Sequence, residues 1–411
     1  MAPPAGEVLT LADDILAEFL IRLPTLSDLG RACAACPAFR RVITRRAFLR
    51  RLRALRPPPL LGILAHVFIP AAPPHPSAGA ARAFADPGAA DFSCSFLPSP
   101  DRWRRRDVRD GRVLLSADRE NFGGGGDNDD DDDDDRGALV RDLAVCDPIH
   151  RRYLLLPPIP DDLAALVHEQ QGVMKPQPFL APASEDEEDT SFRVICLVEC
   201  TSKLVLFTFS SGSGQWQASE FDGWGALTME TSNPDPGFES ELSQCCYANR
   251  CFCWVMHWAQ KLLVLDTSTM EFSSIDIPPA HPMHPRLIVE AGDGKIGMFS
   301  IRVDMVYGTF GLSYTVLGND GEGANEWQPE SIIPVPPKYR YNVMGVAGGY
   351  LLLQGIPERL YSVPASARPN LVCFSVDLKT FEIEPFCETK FAMILPQLYA
   401  GFPPSLSPPT I

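Results

Sequence analysis

Pro57-Pro58-Pro59 divides the chain into two texts that cannot share one secondary structure, because three consecutive prolines end a helix and offer no donor to a sheet. Beyond them helical periodicity vanishes. Short runs rich in Val, Ile, Leu, Phe and Tyr alternate with clusters of Gly, Pro, Ser and Asn, as 40 prolines and 30 glycines among 411 residues allow. Leu60–Phe68, Phe92–Leu97, Gly111–Ser116, Leu139–Cys146, Arg152–Leu156, Phe192–Glu199, Lys203–Ser210 and Trp216–Phe221 read as strands. So do Gln244–Asn249, Cys251–His257, Leu262–Asp266, Glu271–Ile275, Arg286–Ala291, Lys295–Arg302, Ser313–Leu317, Tyr350–Gln354, Asn370–Val376 and Phe381–Phe386. Their spacing is that of hairpins and leaves no room for the long crossovers of parallel pairing, so the sheets are predicted antiparallel.

One phrase recurs in this body: an apolar strand, a polar turn with Asp or Ser, an aromatic residue, then proline-containing text. It reads Val145-Cys146-Asp147 to Tyr153 and Pro157; Phe207 to Ser210 and Trp216; Leu263 to Asp266, Phe272 and Pro278; Phe374 to Asp377, Phe381 and Pro385; and again over Tyr314 to Trp327. Anchors roughly 50 to 60 residues apart suit a four-stranded blade with its loops, which predicts a β-propeller of about six or seven blades over residues 57–395. The competing architecture is a large β-sandwich whose turns are alike by composition.

Upstream of the prolines the apolar positions are helical. From Thr10 to Leu23 the residues Leu11, Ile15, Leu16, Phe19, Leu20 and Leu23 fall three and four apart, with Thr10 and Asp13 placed as a capping box and Pro24 as the stop. Ser27 is placed to cap a second helix through Leu29, Ala32, Cys33 and Cys36. Pro37 suits the first turn of a third through Phe39, Val42 and Ile43. Thr44 is placed to cap a fourth, with Phe48, Leu49, Leu52 and Leu55 on one side. Three or four short helices within residues 9–56 are too few to make a generous core alone, so a partner surface is expected to help bury them.

The net charge of −16 is local. Asp127 with Asp129–Asp135 carries eight negative charges and Glu185–Asp189 five, which leaves about −3 for the remainder. Acidic insertions near 123–136 and 175–190 are predicted disordered, as are residues 1–8; Pro70–Gly88 reads as a loop and the Pro-rich residues 396–411 as a tail. Met1–Gly6 bring no basic segment into an apolar core, and no apolar run reaches the ~18 residues of a bilayer span. The expectation is a soluble chain of the cytoplasm or nucleus, without membrane contact, whose 12 cysteines are reduced.

Searching for chemistry turns up structural residues instead. Cys33 and Cys36 have ligand-like spacing but no second pair. Cys245, Cys246, Cys251 and Cys253 cluster near His257, yet strand alternation sends Cys251 and Cys253 to one face and Phe252 and Trp254 to the other, which favours core over zinc. His281 and His284 sit in a proline-broken loop. No nucleophile elbow, phosphate-binding Gly loop, zincin helix or dinucleotide fingerprint is present, so no enzyme, cofactor or metal is expected. The arginines Arg40, Arg41, Arg45, Arg46, Arg50, Arg51, Arg53 and Arg56, and six more in Arg102–Arg112, lack the interleaved aromatics of nucleic-acid binders and read as a solvated helix face, free or paired with acidic loops.

The head resembles an F-box. The pattern is carried by Leu11-Ala12-Asp13-Asp14-Ile15-Leu16-Ala17-Glu18-Phe19-Leu20-Ile21-Arg22-Leu23-Pro24, then Leu29-Gly30-Arg31-Ala32, Cys36 and Phe39-Arg40-Arg41-Val42-Ile43, and the following Ala47-Phe48-Leu49-Arg50-Arg51 is similar to an extension common in plant members. Ala12 stands where proline is usual and Phe39 where tryptophan is commonest. The body, with Pro-Pro-Pro-Leu-Leu-Gly at its start and its Val-Cys-Asp-Pro phrase, resembles the F-box-associated β-propeller of grass F-box proteins. The resemblance implies docking onto a Skp-family adaptor and, through it, a cullin scaffold. The chain would be a non-catalytic substrate receptor whose propeller holds a target protein of unknown identity for ubiquitin transfer. Leu11, Ile15, Leu16, Leu20, Leu23, Pro24 and Leu29 match the family's apolar positions and are the expected adaptor contacts, about half of them turned into the head's own core. The alternative is a non-degradative scaffold or ligand sensor that binds such an adaptor.

Overall fold

The run Arg193–Glu199 is apolar at every position from Val194 to Val198, and all are buried. A strand apolar on both faces has to be covered on both. Val194, Cys196 and Val198 pack toward one neighbouring sheet, and Ile195 and Leu197 toward the other. The same demand repeated along the chain produces a ring of sheets stacked face to face.

The computed structural model describes residues 13–84, 88–117, 142–168, 176–182, 191–229, 242–243, 245–256, 259–279, 285–304, 309–319, 325–358, 360–393, 396–402, 406–407 and 409–411. Its strands are β1 (Leu60–Leu64), β2 (Phe68–Pro70), β3 (Trp103–Arg109), β4 (Arg112–Ala117), β5 (Leu143–Asp147), β6 (Arg152–Leu155), β7 (Gln177–Ala181), β8 (Arg193–Glu199), β9 (Leu204–Ser210) and β10 (Gln215–Phe221). They continue with β11 (Cys246–Ala248), β12 (Cys251–Met256), β13 (Lys261–Asp266), β14 (Phe272–Asp276), β15 (Arg286–Ala291), β16 (Lys295–Asp304), β17 (Thr309–Asn319), β18 (Asn325–Pro334), β19 (Tyr339–Ala347), β20 (Tyr350–Pro357), β21 (Leu371–Asp377), β22 (Ile383–Thr389) and β23 (Gln397–Ala400). Blades one to five are the antiparallel sheets β3–β6, β7–β10, β11–β14, β15–β18 and β19–β22, and blade six is β23-β1-β2. The protein is therefore a six-bladed β-propeller, and the sandwich alternative is excluded.

Innermost strands of neighbouring blades touch around the ring, β23 with β3, β3 with β7, β11 with β15, β15 with β19 and β19 with β23. β23 pairs antiparallel with β1, from Leu60 opposite Ala400 to Leu64 opposite Gln397, so strands from the two ends of the ring share one sheet. That pairing removes the open edge that an unclosed stack would present. Blade five's β19–β20 turn presses on the same place. Gly348 has φ +58°, and a Cβ there would lie 2.4 Å from the backbone nitrogen of Leu60. Gly349 also has positive φ, +83°, but open space around it. Gly348→Ala should therefore lower stability by about 2 kcal/mol more than Gly349→Ala, which carries only the left-handed backbone penalty. Equal thermal midpoints for the two variants would contradict the close approach.

The recurring phrase of the sequence is the hairpin between the third and fourth strands: β5–β6, β9–β10, β13–β14, β17–β18 and β21–β22. Other expectations are corrected. Leu60–Phe68 is not one strand but most of the β1–β2 hairpin. Phe92–Leu97 is no strand, because the Asp91 carboxylate accepts from the backbone N–H groups of Ser93 and Ser95 at 3.1 Å each and winds the segment into turns. The insertion predicted over 175–190 contains β7, whose Phe179, Leu180 and Ala181 are buried; residues 183–190 lie outside the described residues, as do 1–8 and 123–136. The tail predicted from 396 starts with the innermost strand of blade six.

The head consists of α1 (Asp13–Leu20), α2 (Leu26–Ala35), α3 (Pro37–Ile43) and α4 (Arg46–Leu55). α1 ends a turn before Pro24, and the proposed Thr10 cap lies outside the described residues. Thr25, not Ser27, caps α2, accepting from the Asp28 N–H at 3.1 Å. Pro37 opens α3 as expected. Thr44 closes α3 by donating to the Arg40 carbonyl at 2.8 Å and does not cap α4. The arginines are not simply solvated. Arg41 (3.0 Å) and Arg45 hold Asp13, Arg51 holds Glu18, and Arg56 donates to the carbonyls of Ile21 (3.3 Å) and Leu23, so α3 and α4 grip both ends of α1.

What completes the head's core comes from the same chain. Leu16, Leu20, Leu29, Val42, Ile43, Phe48, Leu49 and Leu52 share one buried cluster with Phe402 and Leu406. Beyond β23 the chain thus reaches the head at Phe402 and Leu406 and blade one at Thr410 and Ile411. There Thr410 donates to Asp147 Oδ2 through its N–H (2.8 Å) and hydroxyl (2.9 Å), Arg112 donates to the Thr410 carbonyl at 2.9 Å, and Arg152 donates to the Ile411 carbonyl at 3.0 Å.

Candidate functional site

Two features among the described residues bear on function, one on the head and one on the propeller axis. On the head, α1 is amphipathic but not fully covered. Its inner positions Leu16 and Leu20 are each 6% exposed, while Ile15 and Phe19, four residues apart and hence on one side of the helix, are 47% and 64% exposed. The ion pairs to Asp13 and Glu18 fix how that side is presented. Hydrogen bonds from Arg41 and Arg51 lower the pKa of Asp13 and Glu18 respectively, against a smaller opposing effect of burial.

The seven residues expected at an adaptor interface divide accordingly. Leu16, Leu20 and Leu29 are interior, Leu29 being fully buried. Ile15 and Pro24 are exposed, Leu23 is half-buried, and Leu11 lies outside the described residues. Phe19 was legible as a helix-face residue, but nothing in the sequence marked it as the most open large side chain of α1.

The second surface is a cavity of about 290 Å³ on the propeller axis, walled by the innermost strands β3, β11, β15, β19 and β23. Asp107 and Arg109 of β3 define its polar side. Asp107 accepts from the N–H groups of Val108 and Leu180 at 2.8 Å each, and Arg109 donates through Nε to the Leu180 carbonyl at 2.9 Å. Side chains two residues apart on β3 thus satisfy both main-chain groups of one β7 residue, as a neighbouring strand would. The Arg109 guanidinium also lies 4.7 Å from the ring centre of Tyr247 on β11, reaching from blade one across blade two to blade three. Sequence reasoning grouped Arg109 with a solvated basic run, because composition does not show which arginines face an axis.

Cys245 and Cys246 border the same cavity. Burial pushes the Cys245 thiol well above its ordinary pKa and that of Cys246 up to about 11, the opposite of an activated nucleophile. The alternation expected along β12 is observed: Cys253 packs between blades three and four, and Phe252 and Trp254 between two and three. Among the described residues no three His, Cys, Asp or Glu side chains converge as metal ligands do, and no helix is long and apolar enough to cross a membrane. His257, His281 and His284 lie outside the described residues.

No family model matches the sequence, and no curated protein matches it. Solved structures match at fold level only. They include the NanB sialidase of Streptococcus pneumoniae (11% identity, 61% of this chain and 35% of that one, TM-score 0.29) and the dihydro-heme d1 dehydrogenase NirN (12%, 74% and 67%, TM-score 0.32). An exo-1,5-α-L-arabinanase from a bovine ruminal metagenomic library matches at 9% identity over 69% of this chain and 97% of that one, with TM-score 0.29. The chain thus spans about a third of the sialidase. Overlaps this loose carry no argument about function, and the six-bladed assignment stands on the strand order itself.

Proposed function

We propose that the chain is a non-catalytic receptor of a Skp-cullin-F-box ubiquitin ligase, its helical head docking onto a Skp-family adaptor and its propeller holding the target protein. The observation that carries the reading is the open side of α1, where Ile15 and Phe19 stand exposed beside the family-like pattern of residues 11–43. Large apolar side chains one helical turn apart are what a helix-in-groove contact uses. Rate enhancement would come from proximity: a target held near charged ubiquitin reacts in an effectively intramolecular step, and no residue of this chain need do chemistry.

Phe19→Asp should abolish adaptor capture while leaving the head folded, since Phe19 is 64% exposed in the free chain and becomes desolvated only on docking. A charge at Leu20 would be a poorer test, because Leu20 is part of the head's interior and its replacement would unfold the head. Affinity purification of the full chain and of the Phe19→Asp variant, with helicity checked, decides the matter. Adaptor and cullin present with the first and absent with the second is the expected result; equal capture contradicts it. A target that fails to accumulate when Phe19 is replaced would favour the non-degradative scaffold.

A further inference from the structure

The axial cavity contains a cation with no ion-pair partner among the described residues. Its wall carries three charged side chains, Asp107, Arg109 and Asp110. Asp107 spends both oxygens on backbone N–H groups. Asp110, exposed in the β3–β4 turn, interacts electrostatically with the buried Arg112. Arg109 uses only Nε, toward Leu180, and its Cζ lies over the rings of Tyr247 and Phe252, 4.7 and 5.6 Å from their centres. Among the described residues its two Nη groups have no hydrogen-bond partner, and neither is among the buried unsatisfied atoms.

A guanidinium fixed through Nε and stacked on an aromatic ring has already lost the rotamer freedom that binding would otherwise cost, and its Nη pair offers the forked geometry that suits a carboxylate. The charge of the wall chooses among anions. With Asp107 and Asp110 nearby, a dianionic phosphoryl group would meet twice the repulsion of a monoanion and find a single cation to offset it. The volume, about 290 Å³, lies at the lower edge of ligand pockets and suits one side chain or a small acid.

We propose that this cavity is a carboxylate-binding site in which Arg109 receives an aspartate or glutamate side chain of a bound polypeptide. The inference rests on the receptor reading only in making the polypeptide a target; a small free monocarboxylic acid would satisfy the same chemistry. Calorimetric titration of the full chain with butyrate, with a capped Gly-Glu-Gly peptide and with its Gly-Gln-Gly counterpart separates these sources. Both acids binding more than tenfold tighter than the Gln peptide, with the Glu peptide ahead of butyrate, is the expected result. Butyrate ahead of the Glu peptide would overturn the polypeptide assignment.

Arg109→Met should reduce acid binding at least tenfold and Arg109→Lys by less. Unchanged binding in Arg109→Met, equal binding of Glu and Gln peptides, or no binding of either acid at millimolar concentration each overturns the site. The comparison of acid with amide uses the unsubstituted protein and stands even if the variants fail to fold. Adaptor capture by the same proteins reports on the head alone. Intact capture without acid binding sinks the site and spares the receptor reading; acid binding without capture does the reverse.

Discussion

In the Phe402→Ala protein, helices α1–α4 are expected to unfold at temperatures where the six blades remain intact. Phe402 is 3% exposed and Leu406 1%, and both belong to the cluster that holds Leu16, Leu20, Leu29 and Leu52. Truncating a buried Phe costs about 3–5 kcal/mol, the lost transfer energy plus the cavity left behind. A head of four short helices commands no more than about that much stability, so the deletion takes most of what it has. The propeller's clusters lie between blades and lose nothing. Hydrogen–deuterium exchange reads the two parts separately: rapid exchange over residues 13–55 with protection retained over β8, β12 and β20 is the expected pattern. Head protection matching the unsubstituted protein would mean that the apparent filling by residues 402 and 406 does not stabilise it.

The second large effect is at Asp147, which is 1% exposed and anchors the far end of the same segment. Its carboxylate accepts from Thr410 N–H and hydroxyl and from the N–H groups of Ile149 (3.1 Å) and His150 (3.0 Å). Burial raises its pKa and is the largest single influence, but the hydrogen bonds from Thr410 and His150 and the charge of His150 together outweigh it, and the net shift is downward. A carboxyl whose folded pKa is depressed contributes stability in full above its unfolded value, about 3.9, and loses it as pH falls through the folded value. Asp147→Ala should therefore cost about 3 kcal/mol at neutral pH, since it strands buried donors that now meet a charge. It should also remove part of the acid sensitivity of the head below about pH 4, leaving the limb due to Asp13 and Glu18, whose pKa values are lowered too. Head unfolding midpoints measured from pH 7 to pH 2 decide: parallel curves for the two proteins would show that Asp147 is not the group being titrated.

How legible this fold was depended on where each strand sits in its blade. The second and third strands are buried on both faces, as Val194–Val198 and Leu204–Phe207 are, and they announce themselves as apolar runs. Innermost strands do so unevenly: β11 and β15 were read, as Gln244–Asn249 and Arg286–Ala291, but β3 was not. β3 reads Trp-Arg-Arg-Arg-Asp-Val-Arg and none of its residues is fully buried, because one edge faces the axial cavity. Its arginines serve main-chain carbonyls, Arg105 those of Ala65 and Phe92 and Arg109 that of Leu180. β7, β19 and β23 were missed with it, and with β3, β19 and β23 the cavity that those three help to wall. On the head, helical spacing identified the apolar side of α1 correctly. It could not separate Leu16 and Leu20 from Ile15, since the buried cluster that the first two join also draws on Phe402 and Leu406, distant in sequence.

The shared sheet of β1 and β23 also sets a timetable for biosynthesis. Leu60 emerges from the ribosome long before its partner Ala400, and at roughly 5–20 residues per second the interval is on the order of tens of seconds. Throughout that time five blades can form while the circle stays open, with β1 and β2 lacking their inner neighbour and the face of β3–β6 unshielded. Such a nascent chain is a natural client for chaperones. A stall in translation before residue 397 would leave a species richer in sticky edges than either the finished protein or a much shorter fragment.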